Sequence, residues 1–250
     1  MPFTTDNEVL DFSKACTCEH CGAKLPLRKI PTRFVSSGYM AIGHRPCQCQ
    51  GAQAERELEE KQAREEEKAK LAAKRESILE RAGIPPRYRD ANHRYAAKMA
   101  HMTMEGRGFY IHGPNGTLKT TLAASVGIIL AELGKSVMFI STYDLMDAMR
   151  SRKDEDRALF DRAAKCDVLI LDDLGKEASN TAYACERLFA IIDKRDKAML
   201  PIIVTTNYRL SEIAQKITEG EVGRAIASRL NDPSYKQVKL DGPDRRLSNG

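Results

Sequence analysis

Phe109-Tyr110-Ile111-His112-Gly113-Pro114-Asn115-Gly116-Thr117-Leu118-Lys119-Thr120-Thr121, continued by LAASVGIILAEL over 122–133, is the stretch on which the rest of the chain turns. Its apolar opening predicts a buried strand, its Gly, Pro and Asn a tight turn, and its long apolar run a helix. Strand, Gly-rich turn, Lys-Thr and helix make a phosphate-binding loop. Backbone N–H groups wrap a β-phosphate at the positive end of the helix dipole. Lys119 then reaches the β- and γ-phosphates, and the Thr120 hydroxyl ligates Mg²⁺. Gly113, Pro114, Asn115, Gly116, Thr117, Leu118, Lys119, Thr120 and Thr121 are the candidate nucleotide-binding residues.

One position departs from the pattern. Leu118 stands where glycine normally precedes the lysine, and glycine there lets backbone approach phosphate with no Cβ in the way. The expectation is that helical dihedrals and an outward side chain accommodate Leu118, or that nucleotide binding is weakened.

Two further strand ends carry chemistry. Val168-Leu169-Ile170-Leu171 runs into Asp172-Asp173, so both carboxylates fall at the carboxyl edge of a buried strand, where α/β proteins bind ligands. Asp172 there holds Mg²⁺ through water, and Asp173 orients and deprotonates the attacking water. Pro201-Ile202-Ile203-Val204-Thr205 likewise ends at Thr206-Asn207, with Asn207 beside the γ-phosphate. Val137–Ser141 is another strand candidate. Helical patterns fill Lys119–Leu133, Tyr143–Arg150 and Thr181–Arg195. Apolar strands alternating with helices predict an α/β domain with a parallel sheet between helices.

Upstream, residues 50–81 contain no Pro and many Glu–Lys or Glu–Arg pairs three or four apart, which predicts a charged helix. Its few leucines are too sparse for a heptad seam. Gly83-Ile84-Pro85-Pro86 ends it. Before it, five of the seven cysteines crowd the first fifty residues. Cys18-Glu-His-Cys21 and Cys47-Gln-Cys49 supply four thiolates, the ligand set of structural tetrahedral Zn²⁺. Cys16, His20 and His44 stay open as alternates, and an iron–sulfur cluster would use similar ligands. The domains expected are a zinc-binding module over 1–50, a helical linker over 51–83 and an ATPase domain over 84–250. Lys24, Arg28, Lys29 and Arg33 interleave with Leu25, Leu27, Ile30 and Phe34 as a docking face, for a protein in the first place or for DNA phosphates.

Composition narrows the class. The 250 residues are 42% hydrophobic and 30% charged, enough apolar matter to exclude a mostly disordered chain. A net charge of +5, from 40 basic against 35 acidic residues, permits contact with phosphates without demanding it. No apolar run spans a membrane, and MPFTTDNEVLDF has no secretory-signal pattern, so a cytoplasmic protein is expected.

Taken together, AGIPPRYR at 82–89, GPNGTLKT at 113–120, VLILDDLG at 168–175, IIVTTN at 202–207, AIASRL at 225–230 and LDGPDRR at 240–246 resemble the DnaC/IstB-like branch of the AAA+ ATPases. That branch holds bacterial and phage helicase loaders and transposition helper ATPases. The resemblance implies ATP and Mg²⁺ at Lys119, Thr120 and Asp172, water activation by Asp173 and a γ-phosphate sensor at Asn207. It makes Arg229 an arginine finger offered to a neighbouring subunit's ATP, with Arg224 as a competitor. Arg246 becomes the second sensor, with Arg245 one position away. A finger supplied in trans implies self-association and hydrolysis that rises with assembly. The implied function is ATP-dependent loading of a DnaB-type replicative helicase onto single-stranded DNA, the amino-terminal zinc module gripping the helicase. The rivals are a transposition helper on duplex DNA and a non-hydrolysing zinc-module adaptor.

Overall fold

The computed structural model describes residues 16–33, 38–149, 154–175, 182–218 and 220–242. The chain forms two compact units, Met1–Ala72 and Ala73–Gly250.

In the first unit, strands β1 (Leu27–Pro31) and β2 (Tyr39–His44) pair antiparallel, with Ile30 opposite Met40 and Pro31 opposite Tyr39. Ahead of them the chain turns tightly at 18–23. The Cys18 N–H donates to the Ala23 carbonyl, the Gly22 N–H donates to the Cys18 carbonyl, and Gly22 has φ +66°. A positive φ of this kind favours glycine.

Helix α1 (Gln50–Arg81) is as long as its composition predicts. Its leucines Leu58 and Leu71 are exposed, and Glu60–Arg64 and Glu66–Lys70 pair at the four-residue spacing. Its residues to Ala72 belong to the first unit and those from Ala73 to the second. Only its last turn joins the core, through Leu79.

The second unit is built on five strands: β3 (Gly108–His112), β4 (Val137–Ser141), β5 (Val168–Leu174), β6 (Ile202–Thr206) and β7 (Tyr235–Lys239). They lie in the order β4-β5-β6-β3-β7, and every neighbouring pair is parallel. The central strands β5, β6 and β3, together with the edge strand β4, are apolar along nearly their whole length because helices cover both faces. One face packs on α2 (Ala96–Met104), α3 (Lys119–Glu132) and the end of α1. The other carries α4 (Thr142–Ala148), α5 (Asp154–Lys165), α6 (Ala182–Lys197), α7 (Leu210–Ile217) and α8 (Glu221–Leu230).

Gly127 lets α3 lie close on the sheet, where an added Cβ would meet the Ile170 side chain at 2.8 Å. Arg195 is wholly buried under the strand starts, donating to the carbonyls of Ala163, Cys166 and Pro201 at 2.8 Å each. It ties α5, β5 and β6 together at the edge opposite the phosphate loop. Among the described residues, no helix is long and apolar enough to cross a membrane.

Candidate nucleotide site and cysteine centre

Because β3, β5 and β6 are parallel neighbours, their carboxyl ends converge. This brings the loop at 113–120, the carboxylate pair at 172–173 and the amide of Asn207 to one corner. The Thr120 hydroxyl donates to Asp172 Oδ1 at 3.0 Å and approaches Oδ2 at 3.2 Å. The Thr205 hydroxyl also donates to Asp172 Oδ1 and accepts from the Asp173 N–H at 2.9 Å. Thr142 donates to the Asp172 carbonyl at 3.1 Å. Asp172 is therefore a nearly buried carboxylate held by hydroxyls from α3 and β6. Thr120 and Asp172 offer hard oxygen donors within one bond's reach of each other, a donor set that suits Mg²⁺.

Lys119 is buried, and its ammonium donates to the carbonyls of Gly113 at 2.9 Å and Pro114 at 2.7 Å. The side chain is thus folded along the loop that would wrap phosphate. Asn207 Nδ2 donates to Asn115 Oδ1 at 2.9 Å, which links the third strand tip directly to the loop. Asn207 Oδ1 is buried without a hydrogen-bond partner among the described residues. A buried acceptor left unpaired is costly and marks a place for a ligand donor or a water. Thr205, Thr142 and Asn115 shape this corner as much as the acidic pair does. The signal for Thr205 was its place in the strand tip IIVTTN, whereas Thr142 has none beyond following a strand.

Leu118 does not take the helical dihedrals expected of it. It stands at φ +65° and ψ +24°, in the left-handed region, as the residue before α3. That conformation is the physical reason for glycine here, since an L-residue's Cβ crowds the following carbonyl at a cost of roughly 1–2 kcal/mol. Asp173 shares this region at φ +60°, which aspartate tolerates better. Gly113 has φ +155°, and an added Cβ would lie 2.0 Å from the Leu240 carbonyl oxygen.

The arginines divide. Arg229 is turned onto α6, with Nη2 2.9 Å from Asp193 Oδ1 and Nε 3.3 Å from Asp196 Oδ2. Those bonds with Arg229, after that from Lys197, hold the Asp193 carboxyl below the usual range. The structure thus engages Arg229 with its own α6 rather than bringing it to the phosphate loop. Arg224 is exposed and lines a cleft of about 690 Å³ with His112, Arg209 and Ser228. Burial, then Lys239 and Arg209, push the His112 imidazole below its ordinary value. Arg245 and Arg246 lie outside the described residues.

In the first unit, the sulfurs of Cys18, Cys21, Cys47 and Cys49 all lie within 4.8 Å of one another. Cys18 is 3.7 Å from Cys49 and Cys21 is 3.4 Å from Cys47. A tetrahedron with Zn–S bonds of about 2.3 Å has sulfur–sulfur edges of about 3.8 Å, so the four fit that metal closely. The backbone N–H of Cys21 is the main reason the Cys18 thiol is lowered to about 6, which favours its thiolate form. Cys16 stands apart from the four, exposed, and His20 pairs instead with Glu55 at 2.8 Å.

Comparison with known proteins agrees with this geometry. The family described as IstB-like ATP binding protein matches residues 53–249. The replicative helicase loader DnaI of Bacillus subtilis is 26% identical over 153 residues, covering 58% of this chain and 49% of its own. The insertion sequence IS5376 putative ATP-binding protein of Geobacillus stearothermophilus is 32% identical over 123 residues, 47% of each. The chain spans about half the length of these curated relatives. The crystal structure of the DnaC helicase loader superposes with a TM-score of 0.51 at 24% identity, covering 63% of this chain and all of that one. That likeness shows the fold alone, a five-stranded parallel sheet between helices. With a phosphate-loop corner of this construction and a family match over most of its length, the chain belongs to the IstB-like ATP-binding proteins.

Proposed function

We propose that this protein is an ATP-dependent loader of a DnaB-type replicative helicase onto single-stranded DNA. The observation that carries the reading is one combination: an ATP corner built from Lys119, Thr120, Asp172 and Asn207, preceded by a four-cysteine module. The named loader DnaI among its relatives supports the same role.

The chemistry follows from the corner. Loop N–H groups and Lys119 hold the β- and γ-phosphates, and Thr120 with Asp172 would hold Mg²⁺, which would supply positive charge against the charge that develops during hydrolysis. Asp173 takes the proton of the attacking water, and Asn207 places that water against the γ-phosphate. Arg229 of a neighbouring protomer completes the site, with Arg224 the competing finger and Arg246 the second sensor. In this reading Asp193 and Asp196 keep Arg229 sequestered until a neighbour docks. Zn²⁺ on Cys18, Cys21, Cys47 and Cys49 staples the small module that grips the helicase. ATP binding favours the loaded assembly and hydrolysis releases the loader.

The test is co-purification with a replicative helicase, and deposition of that helicase on single-stranded DNA with and without the protein. No capture and no stimulation would overturn the role. The insertion-sequence relative favours a second reading, a transposition helper. Assembly on duplex DNA with no helicase present would select it.

A further inference from the structure

Between Glu19 and Glu55 the chain has no aspartate or glutamate, while Lys24, Arg28, Lys29, Arg33 and Arg45 fall within that interval. The fold gathers four of these. Lys24, Arg28, Lys29 and Arg45 line one groove of about 630 Å³, together with Pro26 and Pro46. The backbone explains the gathering. The Arg45 N–H donates to the Pro26 carbonyl at 2.7 Å, which lays the end of β2 beside the start of β1. Successive strand residues normally point to opposite faces. Here the pairing register shifts between Leu27 and Lys29, and both Arg28 and Lys29 reach the groove.

All four cations are exposed, and none forms an ion pair among the described residues. By contrast Arg75, Arg89 and Arg229 of the second unit each meet a carboxylate. Even with Zn²⁺, four thiolates bring a formal charge of only 2− against five cations. Like charges crowded around a groove raise its potential and favour a polyanion. On the strand face that Lys29 shares, the next residue pair along the hairpin is Pro31 and Tyr39, and Tyr39 is 58% exposed. An exposed aromatic next to a cationic track is the arrangement on which unpaired bases stack, whereas a duplex keeps its bases stacked on each other.

We propose that this groove holds the phosphate backbone of single-stranded DNA, with a base laid against Tyr39. The groove rests on the loader role only in that single-stranded DNA is the track, and it requires neither ATP nor a helicase.

The test is equilibrium binding of a fluorescein-labelled oligothymidylate of about 20 nucleotides to the full chain, without nucleotide, across a salt series. Replacing all four cations (Lys24→Gln, Arg28→Gln, Lys29→Gln, Arg45→Gln) is expected to weaken binding at least about ten-fold at low salt. It should also flatten the logarithmic salt slope by about 3, since each neutralised phosphate of a single strand contributes about 0.7. Tyr39→Ala should weaken binding about ten-fold and leave the slope unchanged. Zinc content reports whether each variant keeps the module folded. Where the quadruple variant loses zinc, the pairs Lys24→Gln with Lys29→Gln and Arg28→Gln with Arg45→Gln decide, each expected to flatten the slope by about 1.4. Unchanged affinity and slope would overturn the proposal. So would tighter binding of a duplex of equal length, or loss of helicase capture with oligonucleotide binding intact. If the variants lose the oligonucleotide as expected but the wild type deposits no helicase, the groove stands and the loader role falls.

Discussion

The Thr120 hydroxyl donates directly to the Asp172 carboxylate at 3.0 Å, joining the first turn of α3 to the tip of β5 two strands away. The two oxygens proposed to share one cation are thus already neighbours. Thr120→Ala or Asp172→Asn should lower the rate of ATP hydrolysis on the order of 10²-fold. Binding of nucleotide in the absence of Mg²⁺ should change little. Steady-state rates over a magnesium series check this, and a full rate in either variant would remove the pair from the mechanism.

Leu118 carries backbone strain at the loop. Leu118→Gly exchanges a left-handed L-residue for one at ease there, relieving roughly 1 kcal/mol. Part of that is offset by the greater freedom of glycine in the unfolded chain. A fluorescent ATP analogue should bind several-fold tighter to this variant, whereas Leu118→Ala should show no gain. Weaker binding on introducing glycine would mean the leucine side chain itself assists the loop.

The sequestered Arg229 gives a complementation experiment. Arg229→Ala should bind ATP normally and hydrolyse it poorly, and Lys119→Ala should do neither. Mixed together they should recover part of the rate, because one supplies the site and the other the finger. Recovery with Arg224→Ala in place of Arg229→Ala would transfer the role to Arg224.

How much of this was open to reading from residues alone depends on whether the signal was local. The strand tips at 112, 172 and 206 were legible because a fully covered parallel strand must be apolar, and the polar residue ending it stands out. The edge strand YKQVK was not, because half its side chains face water and it reads like surface. The hairpin LRKIP and YMAIGH is equally exposed and contains a Pro, so no alternation singled it out. Arg195, inside the basic run KRDK, looks like a solvated charge, and only the meeting of α5, β5 and β6 buries it. The dihedrals of Leu118 belong to the turn rather than to the residue, which is why a helical value was expected and a left-handed one found.

A pH dependence follows from Asp167. The Ser136 backbone N–H and hydroxyl each donate to its carboxylate at 2.8 Å, and the backbone bond first holds its pKa below the usual value. A carboxyl lowered in the folded state adds stability above its unfolded pKa of about 3.9, and loses it as pH falls through the folded value. Asp167→Ala should therefore cost about 1 kcal/mol near neutrality, discounted for its exposure, and progressively less in acid. Denaturant midpoints at several pH values report it, and a cost that stays constant into acid would point to packing instead.

Removing the metal should act on one unit. One zinc per chain is expected, and chelation or Cys47→Ser should abolish the module's own unfolding transition. The second unit should keep its cooperative melt, since its core draws on no cysteine of the cluster. Metal analysis with calorimetry distinguishes this from a single shared transition.

Gly113 has a duty beyond the one proposed for it in the phosphate loop. Its α-carbon lies so close to the Leu240 carbonyl that no side chain fits between them, and the Leu240 N–H donates to the His112 carbonyl at 2.8 Å. The stretch leaving β7 is therefore stitched to the very peptide that opens the loop. A displacement of the loop at Gly113 would therefore be handed directly to Leu240 through two backbones, with no side chain as intermediary.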